Sequence, residues 1–158
     1  MEPALHPDLE PVRWLLGTWS GEGRGEYPTI ETFDYLETIS FTHVGKPFLA
    51  YQQRTSSPEG LPMHAEVGYL RCPGGGDQVE WIVAHPTGIS EVAAGTVDGG
   101  SLALRSTSIV GTPSAKDVSA VERDLVVDGD VLRYELRMAA VGEALQHHLA
   151  ATLRRSDA

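Results

Sequence analysis

Asp117–Val127 (DVSAVERDLVV), Asp128-Gly129-Asp130 and Val131–Val141 (VLRYELRMAAV) are consecutive in the chain and form the clearest structural pattern in it. In the third segment Leu132, Tyr134, Leu136 and Met138 fall on one face and Arg133, Glu135 and Arg137 on the other. A repeat of two places successive side chains on opposite faces of a strand. The Asp-Gly-Asp between the two runs supplies the turn chemistry of a hairpin. The pattern then extends in both directions. Leu102 and Leu104 alternate with Ser101, Ala103 and Arg105, and Asp98-Gly99-Gly100 forms another turn before them. Extended runs are expected at Gly17–Glu26, Glu31–His43, Pro47–Ser56, Met63–Cys72, Gln78–His85, Ile89–Val97, Ser101–Ile109, Asp117–Val127, Val131–Val141 and Ala144–Arg154. Ten sequential strands with short connections predict an antiparallel up-and-down β-barrel, in which closure removes the exposed edges. A sandwich needs longer crossing connections. Barrels of this size can enclose a small-molecule cavity.

The segment His6–Leu16 (HPDLEPVRWLL) is the one expected helix, with Pro7 in its first turn and Asp8 and Glu10 near its N-terminus. It is short enough to cover one end of the barrel. With 158 residues, 41% hydrophobic and 22% charged, the chain reads as a single domain over 1–158 with a real core. A net charge of −10 argues against nucleic acid or an anionic membrane as partner. No apolar stretch reaches membrane-spanning length, and Met1 to Gly17 lacks the pattern of a secretory signal, so a cytoplasmic location is expected. Cys72 stands alone, which excludes an internal disulfide, and it reads as a strand-end residue rather than a nucleophile.

Gly17-Thr18-Trp19-Ser20-Gly21-Glu22-Gly23 gives a G-x-W-x-G-x-G strand. Glycines at alternate positions leave a bare stripe that admits sharp bending, a flat ligand or another chain segment. The alternative is a barrel corner with Trp19 plugging the base. Further along come Tyr27-Pro28-Thr29, Phe33-Asp34-Tyr35-Leu36-Glu37 and His43-Val44-Gly45-x-Pro47. Pro62-Met63-His64-x-Glu66-x-Gly68, Thr87-Gly88-x-x-Glu91-Val92, Ala115-Lys116, and Met138-Ala139 leading to Leu145-Gln146-His147-His148-Leu149 follow. In their order and spacing these motifs resemble the nitrobindin family of haem-binding barrels, related in shape to fatty-acid-binding proteins and lipocalins. The resemblance covers nearly the whole chain.

The chain has six histidines: His6, His43, His64, His85, His147 and His148. None forms an H-E-x-x-H or H-x-H pair, and the sequence clusters no acidic residues with them, so no zinc site is expected. His43, His64 and His85 could line a cavity, and His64 and Glu66 share a strand face as a hydrogen-bonded pair would. One imidazole suffices for a haem, so spacing alone singles out no ligand. The resemblance implies His148 as the axial metal ligand of a haem b, one per chain, and Thr29 and Lys116 as further haem contacts. Strict alternation argues the other way. It puts His147 with the apolar set Leu145, Leu149, Ala151 and Leu153, and His148 with Gln146, Ala150, Thr152 and Arg154. Either a bulge near the start of the last strand reverses those faces, or the haem sits at the barrel mouth where both faces are partly enclosed, and His147 stands as the rival ligand.

The resemblance further implies a ferric haem that binds nitric oxide and isomerises peroxynitrite to nitrate, with no separate catalytic side chain. It also allows a homodimer. The rival readings are a haem carrier or nitric oxide sensor without turnover, and a metal-free barrel gripping a fatty-acid-like ligand through a cavity arginine.

Overall fold

A computed structural model of the chain describes residues 1–156. The ten strands are β1 (Gly17–Tyr27), β2 (Ile30–Thr42), β3 (Leu49–Ser56), β4 (Pro62–Arg71), β5 (Gln78–His85), β6 (Ile89–Asp98), β7 (Ser101–Gly111), β8 (Val118–Asp128), β9 (Val131–Ala140) and β10 (Gln146–Arg155). Each pairs antiparallel with its neighbours in sequence, and β1 pairs with β10 to close the barrel. The tight turns at Asp98–Ser101 and Asp128–Val131 place Gly99 and Gly129 at φ of +55° and +59°, where a Cβ would be strained.

The N-terminal helix is a 3₁₀ helix, Pro7–Leu15. Pro11 sits inside it and brings no N–H, so a regular α-helical ladder cannot form there. The His6 Nδ1 caps its start by accepting from the Asp8 N–H at 3.2 Å. Leu9, Val12 and Leu15 are fully buried and close one end of the barrel. Trp19 lies beneath them, its Nε1–H donating to the Leu15 carbonyl at 2.9 Å while the Arg155 guanidinium covers its ring at 4.0 Å. Phe41, Leu49, Leu70, Trp81, Leu102, Leu132 and Leu153 fill that half as a solid apolar core. Cys72 joins the core, and burial pushes its thiol up to about 11, as suits an inert residue.

The glycines of β1 serve packing between strands. A Cβ on Gly23 would fall 2.2 Å from the Tyr35 ring, and one on Gly25 2.1 Å from the Phe33 ring. The bare stripe therefore lets two aromatic rings of β2 lie across β1. Both rings also line the cavity that occupies the other half of the barrel.

Candidate functional site

The cavity has a volume of about 590 Å³, within the usual range for small-molecule and cofactor sites. Its wall is mostly apolar, with Phe33, Ile109, Val118, Leu136 and Leu149 among its residues. His148 is the histidine from β10 that reaches it.

β10 carries a bulge. His147 pairs with Arg137 and Leu149 with Leu136, so His148 is the extra residue between them. The irregularity turns the His148 ring to the cavity, while His147 faces solvent beside Glu135 at 3.1 Å and Glu26 at 3.8 Å. Of the two placements left open by the sequence, the bulged one is found.

The His148 Nδ1 lies 3.0 Å from the Glu26 carbonyl oxygen. A carbonyl only accepts, so Nδ1 carries the proton and the lone pair sits on Nε2. Burial lowers the pKa of this imidazole and keeps it neutral. The Tyr27 ring packs edge-on against it, with centroids 5.2 Å apart. Tyr27 is itself fixed, since its hydroxyl donates to the Met138 carbonyl at 3.1 Å and accepts from the Ala140 N–H at 2.9 Å. A neutral imidazole with a set tautomer in an apolar cavity is the donor that a haem iron requires, and these residues fit that group.

Lys116 lines the cavity from the exposed segment before β8. Thr29 is exposed in the turn between β1 and β2 and is not among the cavity-lining residues. His64 and His85 line the cavity, but His43 does not. Its Nδ1 instead accepts from the Gly45 N–H at 3.3 Å.

Contrary to the sequence expectation, carboxylates do gather around histidines. His85 Nε2 donates to Glu91 at 3.0 Å, and its Nδ1 lies 3.3 Å from His64 Nε2. Glu66 stands 3.9 Å from His64 Nε2, an ion-pair distance rather than the expected hydrogen bond. Arg123 Nη2 donates to Glu66 and to Glu91, each at 2.8 Å. Burial would raise the Glu91 carboxyl, but the Arg123 charge and the His85 and Arg123 hydrogen bonds outweigh it and hold it at about 2. A second buried network joins Tyr35 to Tyr134 at 2.7 Å and Tyr134 to Glu37 at 2.6 Å, with Gln53 also donating to Glu37 at 3.1 Å. Burial pushes the Glu37 carboxyl up to about 7. These inward groups had one signal in the sequence, since each shares strand parity with buried residues, as Glu37 does with Tyr35 and Ile39.

Residues 8–155 match the family described as "THAP4-like, heme-binding beta-barrel domain". The chain is 54% identical over 162 residues to peroxynitrite isomerase 2 of Mycobacterium ulcerans, covering 99% of this chain and 100% of that protein. It is 57% identical to peroxynitrite isomerase of Nocardia farcinica, covering 96% and 93% of the two chains. The crystal structure of Rv2717c from M. tuberculosis superposes with a TM-score of 0.91 at 47% identity, over 98% of this chain and 100% of that one. The barrel, its cavity and these matches agree with the nitrobindin resemblance, and the chain belongs to the THAP4-like haem-binding β-barrel family.

Proposed function

We propose that the protein is a peroxynitrite isomerase that holds one haem b through His148 and also binds nitric oxide. The observation that carries this reading is the His148 imidazole, with its Nδ1–H committed to the Glu26 carbonyl, in a largely apolar cavity. When bound, the haem supplies a ferric centre at which peroxynitrite rearranges to nitrate. The chain's own residues do the rest. Glu26 and Tyr27 fix the tautomer and tilt of the His148 ring. Lys116 at the mouth and Thr29 on the turn following Glu26 and Tyr27 are the proposed partners of the cofactor's carboxylates. A cytoplasmic location suits an acidic chain with a buried free thiol.

The fatty-acid reading asks for an arginine whose charge is available to a ligand carboxylate. The cavity arginine, Arg123, is already neutralised by Glu66 and Glu91.

Haem reconstitution of the His148→Ala and His147→Ala variants tests the assignment through the Soret band. The band should collapse in the first variant and persist in the second, and the reverse would sink the assignment. Stopped-flow decay of peroxynitrite should be faster with the haem-loaded protein than with equimolar free haem, with nitrate as product. Equal rates would leave a carrier or sensor.

A further inference from the structure

On the cavity wall, in addition to His148, stands the group His64, Glu66 and His85, of which the proposed haem chemistry makes no use. One ligand-type atom from each lies within 4.8 Å of the others. His64 and Glu66 point the same way because they are two apart on β4, and His85 ends the adjacent β5.

The hydrogen bonds of the group follow from its partners. The Glu91 carboxylate accepts from His85 Nε2–H, and His85 Nδ1 faces His64 Nε2. Burial lowers the His64 pKa. The two facing nitrogens are 3.3 Å apart. Two imidazoles on a tetrahedral ion, with metal–nitrogen bonds of about 2.0–2.1 Å, stand about 3.3–3.4 Å apart. The outer partners of a metal site are in place as well. Glu91 accepts the remaining N–H of His85, and Arg123 donates to Glu66 Oε1, leaving Oε2 turned to His64 at 3.9 Å. Charge points the same way, since Glu66 and Glu91 together exceed the single positive charge of Arg123.

We propose that His64, His85 and Glu66 form a site for one divalent first-row transition ion, zinc in the first instance, separate from the haem ligand His148. Two histidines and one carboxylate leave a coordination position toward the cavity these residues line, the arrangement of zinc sites that keep a place for water or substrate. On such an ion the Glu66 oxygen closes from 3.9 Å on His64, and from as much as 4.8 Å on His85, to about 3.3 Å.

Calorimetric titration with zinc chloride, on the chain with and without haem, tests the site independently of the proposed activity. Elemental analysis after dialysis gives the stoichiometry. One retained zinc per chain is expected in the unaltered protein and in His147→Ala, which removes the surface histidine beside Glu26 and Glu135. Affinity should fall at least tenfold in His64→Gln and in Glu66→Gln, with circular dichroism reporting whether each is folded. Absence of saturable binding in the unaltered protein would overturn the proposal, because the histidine pair is then only hydrogen-bonded. Equal affinity in the unaltered protein and a folded Glu66→Gln or His64→Gln would overturn it too. If one variant does not fold, the other and the unaltered protein still decide.

Discussion

At the scale of single residues, the arrangement turns on what holds one imidazole. His148 has its proton position set by a backbone carbonyl and its tilt set by Tyr27, which is in turn tied to β9 through Met138 and Ala140. Tyr27→Phe keeps the ring but removes the hydroxyl, leaving the buried Ala140 N–H without its partner, at a cost of about 1–3 kcal/mol. The variant should fold with a lowered Tm and still take up haem. Because Tyr27 acts through His148, the iron–histidine stretching band in resonance Raman spectra should broaden or shift. An unchanged band alongside a lowered Tm would reduce Tyr27 to a structural residue. Neither its double hydrogen bond nor its contact with His148 is visible in the sequence, because Tyr27 and Ala140 are joined only by the closure of the barrel.

At the scale of elements, β10 and β1 each carry a local device that shapes the cavity. β10 inserts His148 as a bulge, which explains why a strict period of two favours His147. The apolar residues after the bulge, Leu149, Ala151 and Leu153, keep the phase that alternation gives them, whereas before it the faces are reversed and Leu145, grouped with them by alternation, is exposed. β1 gives up side chains at Gly23 and Gly25 so that the Tyr35 and Phe33 rings can cross it. Gly23→Ala forces a Cβ against the Tyr35 ring and should cost about 1–3 kcal/mol. Gly76→Ala, where a Cβ meets nothing within 4 Å and φ is −86°, should leave stability within about 0.5 kcal/mol. Urea unfolding of the two variants makes the comparison, and equal midpoints would contradict this account of the stripe. The bare stripe was legible from the glycine spacing. What fills it was not, since Gly23 meets Tyr35 only through the pairing of β1 with β2.

For the whole molecule, two buried carboxylates shape the dependence of stability on pH in opposite senses. Glu37 has a folded pKa of about 7, raised from 4.5, so its contribution is fully present below pH 4.5 and is lost as pH rises through 7. Glu91, held at about 2, contributes stability present above pH 4.5 and lost as pH falls toward 2. Glu37→Gln should therefore flatten the decline between about pH 4.5 and 7, by on the order of 3 kcal/mol across that window, and leave the acid limb unchanged. Chemical denaturation at a series of pH values reads this directly. An identical slope in the two proteins would show that Glu37 does not titrate there. The acidic net charge adds self-repulsion on the alkaline side in both proteins, so the difference between them isolates Glu37.

Sequence alone specified the strands, the turns and the closed meander, because period-two alternation and glycine turns act over a few residues and each strand pairs with its neighbour in the chain. It also carried the family resemblance, through motifs spread from Trp19 to Leu149. The face of His148 and the company of Glu37, Glu66, Glu91 and Arg123 were decided only in three dimensions. A one-residue bulge and contacts between strands far apart in the chain depend on groups that the local pattern does not contain. Arg123 and Glu66 are separated by 57 residues and meet at 2.8 Å because the barrel closes around both.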